Sequence, residues 1–541
     1  MTGIIIYDIN EICQCIQAFH TLSDCAGGVT MKLLQTRRDF LKFAGKTLAS
    51  GAALTVAPVL VTKAGASAAN MATAGIIRGK VTDTNSCMMP AVILVEAEDG
   101  TAYRAFTNAM GGYAISLEPG TYRLTFSKGH EYGTISRMVD VQSLKTYYQQ
   151  DVRLAPEYDS YARGWIAGDC HQHSYYSDGV DSVDNVMIAN AANGICFGFL
   201  TDHNTSRGVP EYNGACMFPV RTENGQVRYF KGMDGVEVTA EFGHYNALGS
   251  GLTLETYDLK FTEAERNSPE KMSIVRDKIM YIADCIKRVG GVAQINHPYS
   301  TTTMGMANWI DLNDYEVFDM FDTIEVWNGY FCPPDGAYFT TQNSMNQNYS
   351  AKLMWYGLLN AMKDGHVFHA MTGGTDNHDV SGAASGKARA KISENPADLQ
   401  SYYDTWVASA KYNGMPATYI FLGEKELNME NAMAALKSGN SFVTSGPMVI
   451  ADIKSKSYGE TVEAVKDENL AINCDVWNRD GLKEIRIVVN GEIVKTLPAS
   501  GSHFMEQISV QREWTSLDWI VIEVLGANCC QYALTNPIII A

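Results

Sequence analysis

At 541 residues the chain is too long for one ordinary domain, and length alone suggests three or four. Hydrophobic residues make up 46% and charged residues 19%, the balance of a globular protein with well-buried cores. A formal net charge of −18, with no basic stripe to neutralise phosphates, excludes a nucleic-acid partner.

The chain opens on a targeting segment. Thr36-Arg37-Arg38-Asp39-Phe40-Leu41-Lys42 reads as a twin-arginine signal, followed by a mildly apolar stretch from Phe43 to Val61. Gly45, Gly51 and Pro58 interrupt that stretch, so it makes a poor membrane span, and none is expected after cleavage at Ala66-Ser67-Ala68. Met31 stands where a start codon would place the signal. Residues 1–30 are therefore read as a mis-called extension and 31–68 as the signal peptide. The expectation is a protein handed to the twin-arginine export machinery and located in the periplasm, at the cell surface or outside the cell. Such export carries proteins that fold before crossing. Of twelve cysteines, Cys13, Cys15 and Cys25 precede the signal, and the rest are scattered without metal-finger spacing. Buried thiols are the better reading. Adjacent Cys529 and Cys530 have no functional account.

Residues 75–154 read as an all-β domain. Tyr113, Ile115 and Leu117 alternate, as do Tyr122, Leu124 and Phe126, with Glu118-Pro119-Gly120 as the turn between them. The run Gly79-Lys80-Val81, Gly111-Gly112-Tyr113 and Pro119-Gly120-Thr121-Tyr122 resembles the carboxypeptidase-regulatory-like (transthyretin-like) sandwich. That resemblance implies a spacer or binding accessory.

From residue 163 to 441 the pattern changes to alternating helices and strands. Met272, Val275, Ile279, Ile282, Ile286 and Val289 give one apolar face between a Ser268 cap and Gly290. The strand Val292 to Ile295 follows and ends at Asn296-His297-Pro298. Ser182 to Gly194 and Ala351 to Asp364 read as two more helices. The strands after them, Cys196 to Leu200 and Val367 to Met371, run into Thr201-Asp202-His203 and Gly374-Thr375-Asp376-Asn377-His378. Polar ligand-type residues where apolar strands stop are the pattern of a parallel α/β barrel. Residues 442–541 return to β patterning, with Ile485 to Val489 and Trp519 to Val524 as strong strands, and read as a C-terminal β domain.

His171 and His173 lie two apart at the end of the strand from Trp165, so both imidazoles can face one ion, while Cys170 and Gln172 point away. Asp178, His203, Glu237, His244, His297, Asp376 and His378 fall at strand ends or in the loops beyond. A set of this kind points to metal binding, although any single histidine is as readily a satisfied core residue. Asp169 and Asp202 flank the ligands and suit a supporting role that orients imidazoles. Glu325 and Asn328 suit lining the pocket or fixing a loop. Arg207 is a candidate anion clamp. His366 and His369 lie away from the carboxyl ends and read as structural.

Gly168-Asp169-Cys170-His171-Gln172-His173, Thr201-Asp202-His203-Asn204, Asn296-His297-Pro298 and Gly373-Gly374-Thr375-Asp376-Asn377-His378 resemble the ordered motifs of the PHP (polymerase and histidinol phosphatase) superfamily. Glu325-Val326-Trp327-Asn328, Ser441 to Pro447 and Thr535-Asn536-Pro537-Ile538 are similar to later signatures of its CehA/McbA (carbaryl-hydrolase-like) branch. The resemblance spans about residues 163–541. It implies a distorted (β/α)7 TIM-like barrel, flanked here by the N-terminal β-sandwich and the C-terminal β domain. It also implies two to three divalent ions. The first would take His171, His173, Glu237 and Asp376, and the second Glu237, His244 and His297. The third would take Asp178, His203 and His378.

A nitrogen and oxygen donor set suits zinc, manganese or iron. Paired ions ~3.5–4 Å apart would supply hydroxide from bound water near neutral pH, so no protein nucleophile is expected. The first expectation is a phosphoesterase acting on a small-molecule ester, an anionic one included. The alternative is hydrolysis of a carboxylic ester, carbamate or amide of the CehA/McbA type. A non-catalytic surface or glycan-binding protein is the third.

Overall fold

The computed structural model describes residues 74–541 apart from 101, 143–147, 214–215, 222–226, 301–302, 330–331, 333–334, 336–343, 381–412 and 529–530. The twin-arginine segment, Met31, the Ala66-Ser67-Ala68 site and Cys13, Cys15, Cys25, Cys529 and Cys530 lie outside these residues. No helix among the described residues is long and apolar enough to cross a membrane. Among the described residues Cys170, Cys285, Cys332 and Cys474 are free thiols.

Alternation builds the N-terminal module. Gly112–Leu117 and Gly120–Ser127 turn Tyr113, Ile115, Leu117, Tyr122, Leu124 and Phe126 inward, against Ile77, Val81, Ile93 and Val95. One sheet pairs Gly75–Thr82 with Gly112–Leu117; the other orders Ala102–Phe106, Val92–Ala97, Gly120–Ser127 and Ile135–Val141. A short charged loop fastens the module to the rest of the chain. Lys128 Nζ donates to the carbonyls of Pro90 and Ala191, His130 Nε2 lies 3.0 Å from Gly414 O, and Glu131 accepts from Ser160 and Tyr419.

The strands around the candidate site are β1 (Trp165–Asp169), β2 (Phe197–Phe199), β3 (Gly235–Ala240), β4 (Gly243–Leu248), β5 (Val292–Ile295), β6 (Thr323–Asn328) and β7 (Ala370–Gly374). They fall into two sheets. In one, β3 to β7 stand in sequence order, with β3–β4 and β4–β5 antiparallel and β5–β6 and β6–β7 parallel. In the other, β2 and β1 pair in parallel, and β1 pairs antiparallel with β8 (Ala417–Phe421) and β8 with β9 (Ser441–Thr444). Two isolated residue pairs join the sheets, Gln172 with Asn377 and His203 with Glu237. The all-parallel barrel expected from the strand ends is therefore not what the hydrogen bonds draw. Glu241 and Phe242 close a tight β3–β4 hairpin in place of a helical crossover, and His244 stands on β4 where a loop was expected.

The helices are α1 (Val183–Ala192), α2 (Lys271–Arg288) and α3 (Ser344–Ala361). Ser182 Oγ accepts from Asn185 N and caps α1. On α2 Val275, Ile279, Ile282 and Ile286 are buried, but Met272 and Val289 are about half exposed, so the apolar stripe is shorter than its periodicity suggested. The chain turns at Ser268, and the helix starts three residues later than the expected cap. α3 starts at Ser344, earlier than the Ala351 expected, and β7 begins at Ala370, with Val367 exposed ahead of it.

Beyond β9 the long sheet continues without a break through Tyr532–Thr535, Trp519–Gly526, Leu482–Val489 and Glu492–Pro498. These four strands thus extend the sheet that carries β1, while Met448–Ile453, Asn469–Trp477 and His503–Gln511 form a three-stranded sheet of their own.

Candidate metal centre

β1 stops at Asp169, and the next residues alternate as an extended chain would. His171 and His173 face one side, whereas Gln172 faces the other and bonds Asp169 and Asn190. Cys170 is fully buried beside Phe197 and Phe199, and burial pushes its thiol pKa up.

Glu237, in the middle of β3, is the hub. His171 Nε2, His244 Nδ1 and His297 Nε2 lie 3.3, 3.1 and 3.3 Å from its Oε1; His173 Nε2 and His203 Nδ1 lie 3.3 and 2.9 Å from its Oε2. Asp376 adds a second carboxylate, with Oδ1 3.4 Å from His171 Nε2 and 3.0 Å from His173 Nε2. At the outer end Asp178 Oδ1 lies 3.5 Å from His203 Nε2 and 3.1 Å from His378 Nε2. All nine residues expected as ligands come together.

Their grouping is less sharply divided than the three expected sets. Donor atoms gather as His171, His173 and Glu237; as His171, His297 and Asp376; as His203, Glu237 and His244; and as His173, Asp178, His203 and His378. His203 reaches the inner carboxylate as well as the outer one, and His173 stands beside the outer group.

The donor set fits cations. His171 Nε2, His173 Nδ1, Glu237 Oε2 and His297 Nδ1 are buried and make no hydrogen bond. Orphaned polar atoms at that depth are costly unless an ion takes up their lone pairs. Burial raises the Glu237 carboxyl, yet the imidazoles of His171, His203 and His244 hold it well below its ordinary value. Burial, then the neighbouring His378, lowers His173 to about 3, so this imidazole is neutral and able to ligate.

The supporting residues divide differently from the sequence expectation. Asp169 accepts from the backbone N–H groups of His171 and Thr375, from Thr375 Oγ1 and from Gln172 Nε2; burial nevertheless lifts its carboxyl to about 6. Asp202 accepts from Ser174 N, Ser174 Oγ and Ser177 Oγ. Both fix backbone and hydroxyls, and neither hydrogen-bonds an imidazole. Glu325 does orient one: its Oε1 lies 2.9 Å from His171 Nδ1, and its Oε2 accepts from His297 N and Asn328 Nδ2. Sequence reasoning missed Asn296, whose Nδ2 donates to Glu237 Oε1 at 2.9 Å, and Thr239, which bonds His203 Nδ1. Asn296 stands next to His297 in a quoted motif, the one signal that could have found it. Backbone strain collects here too. Asn204, His297 and Asp376 have φ of 52°, 26° and 49°, a region non-glycine residues seldom adopt.

A cavity of about 250 Å³ opens beside the donors, lined by Asp178, His203, Glu237, His244, His297, Asp376 and His378. Pro298, Tyr299, Ser300, Met304, Asn328, Gln347, Asn348 and Ala351 complete its wall. Arg207, the expected anion clamp, does not line it. Its exposed side chain lies over the Tyr176 ring, 5.5 Å from the centroid.

Among known proteins one family model matches, across residues 76–155. It is the carboxypeptidase regulatory-like domain. No curated protein matches the chain. Among solved structures, the chain is similar to a two-domain Bacteroides vulgatus protein described as containing a predicted PHP-like metal-dependent phosphoesterase. Identity is 14%, over 69% of this chain and 95% of that one, with a TM-score of 0.32. A Bifidobacterium adolescentis protein described as a metal-dependent phosphoesterase gives 15% identity, 45% and 96% coverage and a TM-score of 0.24. A Chromobacterium violaceum amidohydrolase gives 18%, 39% and 87%, and 0.24. Likenesses of this size assign neither fold nor function.

Proposed function

We propose that the chain is a metal-dependent hydrolase whose substrate is a phosphoester. The observation that carries this reading is the convergence of five imidazoles on the two oxygens of buried Glu237. His171, His173, Glu237 and Asp376 would hold one ion, and Glu237, His244 and His297 a second. Asp178, His203 and His378 would hold a third. Zinc, manganese or iron fits this donor set. When bound, adjacent divalent ions supply Lewis acidity toward the ester and acidify a coordinated water.

The chain's own residues do the rest. Glu325 holds His171 with one nitrogen toward itself and the other toward Glu237 and Asp376. Asp169 and Asp202 hold the backbone turns from which the ligands project. Gln347 would offer its amide to the substrate from the far wall.

In this reading β1 to β7 form a distorted (β/α)7 ring of the PHP type, closed at the Gln172–Asn377 and His203–Glu237 pairs. The CehA/McbA motifs and export through the twin-arginine pathway to the periplasm, surface or medium belong to the same proposal. The domain division at 75–154, 163–441 and 442–541 does too. A second reading, hydrolysis of a carboxylic ester, carbamate or amide, is favoured by the neutral side chains Tyr299, Met304 and Gln347 on the cavity wall.

The test uses purified chain reconstituted separately with zinc, manganese and iron. Substrates are nitrophenyl phosphate, bis-nitrophenyl phosphate, nitrophenyl acetate and a naphthyl carbamate, with His171→Ala and Asp376→Ala as controls. Metal-dependent turnover of a phosphate ester is the expected result. Turnover of the carboxylic substrates alone selects the second reading, and no turnover of any rejects both.

A further inference from the structure

α3 forms one wall of the cavity and supplies Gln347, Asn348 and Ala351 to it. Asn348 also ties the helix to the end of β6. Its Oδ1 accepts from Asn328 N at 3.1 Å, and its Nδ2 donates to Asn328 O at 3.3 Å. Asn328 in turn lines the cavity and donates to Glu325, the carboxylate that orients His171.

One helical turn beyond Asn348, on the same side of α3, sits Lys352, which is 2% exposed. Its ammonium lies 2.9 Å from Oε1 of Glu523, on the strand Trp519–Gly526, and donates to Tyr532 OH at 3.3 Å. Tyr356 OH donates to the same Glu523 oxygen at 2.9 Å. The charges continue outward. Arg486 NH1 lies 3.7 Å from Glu523 Oε2, and the same guanidinium binds Asp335 at 2.8 and 3.1 Å, between β6 and α3.

A buried ion pair of this kind is a poor source of stability. Desolvating two charges commonly costs as much as their attraction returns, and apolar side chains of like volume often do as well. What the pair does is select a register. Lys352 meets Glu523 at one axial and rotational setting of α3, and that setting places Asn348 against Asn328.

We propose that Lys352 and Glu523 are positioning residues for the cavity: the C-terminal sheet holds α3 in register, and α3 holds Asn328 through Asn348. Its functional half rests on the reading of the cavity as a hydrolase site. Neither residue reaches substrate or metal.

The test compares manganese-loaded full-length chains: wild type, Lys352→Met with Glu523→Leu, Asn348→Ala, and all three changes together. KM and kcat are read on bis-nitrophenyl phosphate, and amide hydrogen exchange is read across residues 325–329. The apolar pair should fold and keep its manganese. Its KM should rise about 5- to 10-fold with kcat within about twofold, as lost positioning of bound substrate requires. Exchange at Asn328 should quicken. In the Asn348→Ala background the pair's removal should add nothing, because both act through one contact. Unchanged KM and exchange, or effects that add, would overturn the proposal. Should the apolar pair fail to fold, Lys352→Met alone, which leaves Glu523 with Tyr356 and Arg486, supplies the comparison. If wild type turns over no ester, the hydrolase reading falls, and exchange at Asn328 still decides the positioning claim.

Discussion

His171 Nδ1 and Glu325 Oε1 lie 2.9 Å apart, both side chains wholly buried, with the other ring nitrogen of His171 turned toward Glu237 and Asp376. A carboxylate on one imidazole nitrogen fixes the tautomer and makes the other a stronger ligand. Glu325→Gln keeps the volume and can still accept from His297 N, but it loses the charge. The affinity of the tightest ion should fall roughly 10- to 100-fold. Competition against a chromophoric chelator measures it, and unchanged affinity would show that Glu325 merely fills space.

Gly374 ends β7 against the same pair. A Cβ there would stand 2.4 Å from His171 Cβ and 2.7 Å from Glu325 Oε1, so neither neighbour can keep its place. Gly374→Ala should cost about 1–3 kcal/mol by overpacking. Metal binding should be lost well before the fold is. Retained stoichiometric metal with an unchanged denaturation midpoint would contradict this close approach.

Burial lowers His130 to about 4 from its ordinary 6.5, helped by Arg479 and Arg104 and opposed by the Gly414 carbonyl and Asp480. The folded chain keeps this ring neutral, whereas the unfolded chain protonates it below its ordinary pKa. The stability it contributes is therefore present above about pH 6.5 and lost as pH falls toward about 4, up to about 3 kcal/mol in all. Urea midpoints of wild type and His130→Gln at about pH 7 and about pH 5 isolate the effect. Wild type should lose more stability between the two than the variant. Equal losses would remove His130 as the cause.

Lys128 joins the N-terminal module to the last turn of α1, where its ammonium meets the Ala191 carbonyl as well as Pro90 O. A cation there satisfies a helix-end carbonyl and complements the dipole. Lys128→Met should cost about 1–3 kcal/mol, because buried acceptors lose a donor. Chemical denaturation of the full chain checks it. A neutral result would mean that the module is held by apolar packing instead.

Much of the clustering was legible because most candidate ligands sit where apolar runs stop, although Glu237 lies in mid-strand and does not close its strand as expected. His171 and His173 follow from strand alternation alone, and Asp376 and His378 from the end of β7. The hairpin at Glu241 and Phe242 was not legible, since two residues between short strands carry no helical signal to contradict a crossover. The start of α3 was hidden by Ser344, Asn346, Asn348 and Ser350, whose modest helix preference made the segment read as loop, and with it Gln347 and Asn348 were missed. Arg207 looked like a clamp from its place after His203, but Tyr176 offers its guanidinium a ring face. Distances between loops decide such choices, and spacing along the chain does not contain them.

The central claim is that the cluster around Glu237 exists to hold metal. The most direct measurement is the metal content of full-length chain reconstituted with zinc or manganese and freed of excess ion, beside Glu237→Ala. At least two ions per wild-type chain are predicted, with loss of most of them in the variant while its circular dichroism is unchanged. Wild-type chain that retains no ion would contradict the account at its root.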